Sequence, residues 1–331
     1  MNKKVGAGLF QDIIGHQAVI RFLEASLNYQ TVSHAYLFIG PRGVGKTAVL
    51  TRFLSGLIGG ARADLDAFLT YPDFTLVRRG ADEKTGKLKK NITVEQIREM
   101  RGRLAMGSFL NSWKIAVVDG AEDLSAEASN AFLKTLEEPT RKTVIVLIAS
   151  SLVGIPETIA SRCQVVRFRL VGESDIKSGL EGMGVAKNAA KIWAAASGGR
   201  PGVAIRLALD VEGRAGYEQT VAEGITLMTS PLHKRLTAIG GIIPEKAGTV
   251  EVAGMLEEKL IVWETLVRDG MVCSLGLPEQ MMSDRVEIKT WSGNRKPAEA
   301  AAILRLLGEV RRALKENVNP RLAVERLAIA L

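Results

Sequence analysis

The chain has 331 residues, of which 47% are hydrophobic and 24% charged, and its 44 lysines and arginines against 36 aspartates and glutamates give a formal charge of +8. This is ordinary globular usage, which excludes a disordered chain, and the length favours two or three domains of roughly 100 to 200 residues each. The only cysteines, Cys163 and Cys273, lie far apart and the three histidines are scattered, so neither a disulfide framework nor a zinc site is expected.

The opening, Met1 to Lys4, is basic, and glycine-rich then amphipathic sequence follows it without the apolar core and cleavage site of a signal peptide. No apolar run approaches the roughly 18 residues of a membrane span. A soluble, cytoplasmic chain with no membrane partner is the expectation. The first predicted strand, Ala35 to Ile39, runs into Gly40-Pro41-Arg42-Gly43-Val44-Gly45-Lys46-Thr47, which matches G-x-x-x-x-G-K-[ST] in the strand-to-helix setting that the pattern requires. Such a loop turns backbone N–H groups inward around phosphates at a helix N-terminus, while Lys46 can neutralise β/γ oxygens and the Thr47 hydroxyl can hold Mg²⁺. ATP and Mg²⁺ are therefore the predicted cofactors.

A second strand is predicted over Phe74 to Arg78. The basic stretch after it, with Arg78, Arg79, Lys84, Lys87, Lys89 and Lys90 and turns at Gly80 and Gly86, reads as a solvated loop, although the net charge is compatible with work near nucleic acid. Thr93 and Gln96 make a capping box. The third strand, Lys114 to Val118, is apolar for its last four residues and ends at Asp119, the acidic residue that a nucleotide site needs at the end of a buried strand. Gly120 follows. Glu122 and Asp123 are near, but a shift of two or three residues changes the direction a side chain faces, so spacing alone gives them no role. Ser125 can cap a helix that Pro139 stops, and strands are predicted over Val144 to Ala149, followed by Ser150 and Ser151, and over Val165 to Phe168. Alternating strands and helices give an α/β domain with a parallel sheet and flanking helices over residues 1–171. From about Ser174 helical patterns take over at Asp175 to Glu181, Ala186 to Ala196 and Pro201 to Leu209, a small helical domain over 172–210. Further helices at Val252 to Arg268, Pro297 to Asn317 and Pro320 to Ala330 give a third, all-helical domain over 211–331.

Specific motifs carry a resemblance. The run from Ser125 to Pro139, which includes Asn130-Ala131-Phe132-Leu133-Lys134-Thr135-Leu136-Glu137-Glu138-Pro139, resembles the A-x-N-A-L-L-K-T-L-E-E-P stretch of the AAA+ subunits of the DNA polymerase III sliding-clamp loader, and Ser161-Arg162-Cys163 matches their S-R-C motif. Ile14-Gly15-His16-Gln17, Ser33-His34-Ala35, Tyr71-Pro72-Asp73-Phe74, Val94-Glu95-Gln96-Ile97-Arg98 and Asn317-Val318-Asn319-Pro320-Arg321-Leu322-Ala323 add to it. The resemblance spans the chain, strongest over 10–170 and weak between 210 and 310. It implies an AAA+ domain, a lid domain and a C-terminal collar that associates with other subunits.

Three departures set this chain apart from motor subunits of the tau/gamma type. Leu57 to Tyr71 lacks their zinc-binding cysteines, Gly120 stands where they carry a glutamate, and Gly202 stands where their sensor-2 arginine falls. The Arg200-Pro201-Gly202 and Pro72-Asp73-Phe74 forms are similar to the delta-prime subunit. That resemblance implies tau/gamma and delta-type subunits as partners in a hetero-oligomer, with the sliding clamp and primed DNA in the complex. It also implies that Arg162 is an arginine finger inserted into a neighbour's ATP site, the alternative being an intrachain salt bridge. Asp119 is then the Walker B carboxylate, and Ser150 or Ser151 the sensor-1 polar residue. Arg200 either reaches the phosphates or caps a helix. His16 and His34 read as structural. The alternative functions are a tau/gamma-like motor that hydrolyses ATP itself and, with less support, a P-loop kinase with a small phosphate acceptor.

Overall fold

The sheet follows from five apolar runs flanked by amphipathic helices. In the computed structural model, which describes residues 8–82, 84–244, 248–283, 285–293, 295–316 and 318–331, the chain order is α1 (Gln17–Asn28), β1 (Ala35–Ile39), α2 (Lys46–Ile58), β2 (Phe74–Val77), α3 (Val94–Ala105), β3 (Lys114–Asp119), α4 (Ala126–Glu137), β4 (Thr143–Ala149), α5 (Glu157–Ala160), β5 (Gln164–Arg167) and α6 (Glu173–Gly182). The basic opening, Met1 to Lys4, and Asn317 of the last helical motif lie outside the described residues. The strands are parallel and ordered β2-β3-β4-β1-β5. Each predicted strand is present within a residue or so of its expected ends.

Both faces of the sheet are covered, as in parallel sheets generally, so its strands are apolar almost without interruption. Tyr36 and Phe38 of β1 point to one face with Ile115, Val117, Val144 and Val146, and pack with Leu23 of α1 and Leu50, Phe53 and Leu54 of α2. Ala35, Leu37 and Ile39 point to the other, with Ala116, Val118, Ile145 and Leu147, against Ile97 and Met100 of α3 and Phe132 and Leu136 of α4. The predicted caps form. Thr93 and Gln96 make a capping box on α3, and the Ala128 N–H donates to the Ser125 hydroxyl at the start of α4 (3.1 Å).

Asp73 fixes the loop between α3 and β3. Its carboxylate accepts from the N–H of Phe109 (2.9 Å) and Leu110 (3.2 Å) and from the Ser108 hydroxyl (2.7 Å). Burial works to raise its pKa, but those donors and the charge of Lys114 outweigh it and hold the carboxyl below the usual carboxylate range. With the pKa lowered by folding, this stabilisation is present at neutral pH and is lost as pH falls below the ordinary aspartate value through the lowered one. Asp73→Ala, which strips the acceptor from three donors, should reduce unfolding free energy by about 2–4 kcal/mol in urea titration. A change under about 0.5 kcal/mol, the scatter of neutral surface substitutions, would contradict this account.

Beyond α6 the chain is helical: α7 (Lys187–Ala196), α8 (Pro201–Leu209), α9 (Val211–Thr229), α10 (Leu232–Ile242), α11 (Thr249–Ser274), α12 (Val286–Gly293), α13 (Pro297–Lys315) and α14 (Pro320–Ala330). The chain divides into two compact units, one of residues 1–81, 89–184 and 199–203, the other of 82–88, 185–198 and 204–331. The second unit has its own core, in which Leu256, Leu260 and Trp263 of α11 pack with Ile303, Leu307 and Val310 of α13 and Val324 and Leu327 of α14. Glycine 224 of α9 lets Trp263 approach, since a Cβ there would lie 2.5 Å from the indole, and the Trp263 N–H donates to the Thr220 carbonyl (3.0 Å). Among the described residues no helix is long and apolar enough to cross a membrane.

Candidate nucleotide site

Strand order assembles the site. β3, β4 and β1 are adjacent and parallel, so the groups at their C-terminal ends come together: Asp119 from β3, Ser150 just past β4, and the Gly40–Thr47 loop after β1. The ladder carries this through in register, with Asp119 opposite Ile148 and Ile39 opposite Ala149, and it extends one step into the loops through Gly40 N–H to Ala149 O (3.2 Å) and Gly120 N–H to Ile148 O (3.1 Å). The crevice outside the carboxyl ends of the strands is where open α/β sheets bind ligands.

The loop has the backbone such a site needs. Gly43 (φ 75°) and Gly45 (φ 108°) are left-handed, a conformation that side-chain-bearing residues avoid, and Gly45 is the N-cap of α2. Lys46, the first residue of that helix, is 7% exposed, and its ammonium donates to the Gly40 and Pro41 carbonyls. Burial lowers its pKa to about 8, opposed by the charges of Glu122 and, less strongly, Asp119. A buried ammonium so weakly compensated is suited to an anion, so the residues fit a nucleotide's phosphates. Thr47 is exposed on the first turn of α2, and Asp119 is half-buried at its strand end, the pair expected to serve Mg²⁺.

Two sequence departures acquire a physical form. Gly120 is left-handed (φ 94°) and a Cβ there would lie 2.8 Å from the Asp123 carboxylate, so a glutamate at that position would be strained and obstructed. Gly202 donates its N–H to the Gly43 carbonyl (2.9 Å), and a Cβ on it would lie 2.9 Å from that oxygen. The start of α8 thus packs backbone to backbone on the phosphate loop, with no side chain at 202 to reach a ligand. Arg200 lies alongside, its Cβ 3.8 Å from where a Cβ on Gly43 would be.

Spacing gave Glu122 no role, yet the structure brings it into this crevice. It sits in the short 3₁₀ turn Ala121–Asp123, and its Oε1 accepts from both the Ser150 N–H (3.0 Å) and the Ser150 hydroxyl (2.6 Å). Asp123, by contrast, pairs with Arg79 (3.2 Å). His16 is a second such residue. Its Nε2 lies 2.7 Å from the Val44 carbonyl and its ring meets Phe168 edge-on, so it braces the phosphate loop, in keeping with its structural reading, and burial lowers its pKa. The Ile14-Gly15-His16-Gln17 motif was the sequence signal for it.

Arg162 stands in the turn between α5 and β5. Its guanidinium donates to Glu137 Oε1 (2.7 Å) and to the Thr158 carbonyl (2.9 Å), an ion pair whose side chains are 37% and 47% exposed. Burial pushes the adjacent Cys163 thiol up to about 12, which makes it an inert packing group at neutral pH. In the basic stretch, Arg78 pairs with Asp66 (2.8 Å) and Arg79 with Asp123, while Lys84, Lys87, Lys89 and Lys90 are exposed, a solvated loop.

Comparison with known proteins agrees with this architecture. Residues 15–171 match the family described as "DNA polymerase III, delta subunit". DNA polymerase III subunit tau of Bacillus subtilis is 31% identical over 165 residues, 49% of this chain and 29% of that protein. DNA polymerase III subunit delta' of Pseudomonas aeruginosa is 33% identical over 142 residues, 40% of this chain and 42% of that one. The chain thus spans less than half the length of these curated relatives. Among solved structures, a DNA polymerase III gamma subunit-related protein of Thermotoga maritima has the same fold, with a TM-score of 0.52 at 15% identity over 93% of this chain and 97% of that one. Over residues 15–171, the part that carries the five-stranded parallel sheet, the chain is thus similar to the DNA polymerase III delta family and to tau and delta' subunits.

Proposed function

We propose that this chain is a delta-prime-like subunit of a bacterial clamp loader, a cytoplasmic complex that places the sliding clamp on primed DNA. It binds Mg·ATP, hydrolyses it poorly by itself, and donates Arg162 to the ATP site of a neighbouring tau/gamma-type subunit, with delta-type subunits as further partners. Residues 1–171 form the AAA+ body, 172–210 the lid and 211–331 the collar through which subunits associate. The observation that carries the choice of delta-prime over a motor is position 120, where a left-handed glycine, whose Cβ would lie 2.8 Å from the Asp123 carboxylate, stands in place of the water-activating glutamate of motor subunits.

In this reading the N–H groups of the Gly40–Thr47 loop, with Pro41, Arg42 and Val44 between its glycines, surround the phosphates. Lys46 exchanges its carbonyl partners for phosphate oxygens, and Thr47 and Asp119 hold the metal ion. Bound Mg²⁺ neutralises phosphate charge and orients the oxygens. Ser150, rather than Ser151, is the sensor-1 residue, because its hydroxyl is the one turned to Glu122 within the crevice. Arg162 is suited to acting in trans because an exposed ion pair is worth only about 0–1 kcal/mol and is readily given up for a phosphoryl group.

The isolated chain should bind ATP yet turn it over very slowly, since Gly120 stands where the usual base would be and no neighbour supplies an arginine, which in trans is worth about 10³- to 10⁵-fold in GTPases. Steady-state phosphate release by the purified chain measures this. Robust turnover that Asp119→Asn abolishes would instead make the chain a tau/gamma-like motor.

A further inference from the structure

Glu122 has one oxygen committed and one not. Oε1 accepts both donors of Ser150, which fixes the carboxylate against the end of β4, while Oε2 is buried and has no hydrogen-bond partner among the described residues. An orphaned buried acceptor is costly, and such groups mark places where a ligand or water completes the arrangement. The location is specific. Glu122 lies three residues past Asp119, is anchored to Ser150 two residues beyond Ile148, the partner of Asp119 in the ladder, and contributes the largest favourable charge acting on Lys46. Its carboxylate is thus held at the end of β4 with its charge acting on Lys46, beside a Gly120 that has no side chain.

We propose that Glu122 supplies the carboxylate that position 120 lacks, its Oε2 accepting the proton of a water that attacks the terminal phosphate of a nucleotide held at the phosphate loop. This rests on the nucleotide-site reading above. In the step, the water oxygen bonds to the terminal phosphorus, and the bond from that phosphorus to the bridging oxygen breaks with its electron pair on the ADP side. The water's proton passes to Oε2 and on to solvent, and ADP and phosphate result. Ser150 keeps Oε1 in place throughout. What Glu122 supports is the slow residual turnover of the isolated chain, which proceeds without an arginine from a neighbour.

The test uses the full chain and Glu122→Gln. Affinity for a fluorescent ADP analogue is titrated with and without aluminium fluoride, a mimic of the transferring phosphoryl group, and ATP cleavage is followed in single turnover. The expected result is unchanged ADP affinity in the variant, loss of the tightening that aluminium fluoride gives the wild type, and cleavage slowed about 10²-fold. If the variant keeps both the fluoride tightening and the wild-type rate, Glu122 only anchors Ser150 and the proposal is overturned. Should Glu122→Gln fail to melt cooperatively, Glu122→Asp decides, since it keeps the charge but withdraws the carboxylate: a several-fold loss in both readouts at unchanged ADP affinity supports the proposal, and no change overturns it. Wild-type chain that binds ADP but shows neither fluoride tightening nor cleavage overturns this inference and leaves the nucleotide site standing. Wild-type chain that binds no nucleotide overturns both.

Discussion

Lys46→Ala should weaken Mg·ATP binding by about 10²- to 10⁴-fold, the equivalent of two charge-assisted hydrogen bonds of roughly 1.5–3 kcal/mol each, and leave the fold intact. The ammonium is buried, and its partners are two backbone carbonyls of its own loop rather than an acidic side chain, so its burial serves a ligand's charge more than the fold. Desolvation, the largest influence on it, holds its pKa at about 8, and removing a desolvated charge costs the native state little. Titration with a fluorescent ATP analogue, alongside thermal melting, separates the two effects. Unchanged affinity in a well-folded variant would mean that the loop is vestigial.

Arg162→Ala carries the second large effect. The variant should bind ATP as the wild type does and enter the assembly, while the assembled complex hydrolyses ATP and loads clamps more slowly. Within the chain the arginine gives up only a surface pair with Glu137 and a bond to the Thr158 carbonyl, so stability should change by less than about 1 kcal/mol. An arginine finger in trans is worth about 10³- to 10⁵-fold in GTPases, and because a clamp loader has several sites the loss of one should cost less, on the order of tenfold in total turnover. Glu137→Gln is the control, since it removes the intrachain partner and keeps the guanidinium. The readout is clamp- and DNA-stimulated ATP turnover of complexes reconstituted with wild-type partners. Wild-type turnover with complete assembly would make Arg162 a structural residue and remove the finger-donating role.

What sequence could and could not show divides along physical lines. The strands were legible because both faces of a parallel sheet are buried, so each strand is a continuous apolar run; Lys114–Asp119 and Ala35–Ile39 are such cases. α9 and α10 were not resolved as separate helices, because glycines at 213, 216, 224, 240 and 241 interrupt their patterns, and at 224 the reason for the glycine is tertiary, the approach of Trp263. At the site, the phosphate loop and Asp119 could be read because their chemistry needs fixed residue types at strand ends. Glu122 could not. Its direction is set by the left-handed turn at Gly120 and the 3₁₀ turn after it, and its partner Ser150 is far along the chain, so no spacing rule points to it. His16 meets Val44 across the fold in the same non-local way.

Whether this chain works as part of an assembly and not as an independent enzyme is decided by ATP turnover of the purified chain, alone and with tau/gamma- and delta-type subunits. The chain alone should bind ATP with barely measurable turnover. Mixed with those subunits it should join a stable complex whose turnover rises further when sliding clamp and primed DNA are added. Turnover by the chain alone that equals the complex's and disappears with Asp119→Asn would make the chain an independent motor, and failure to join the complex at all would remove its role as a subunit.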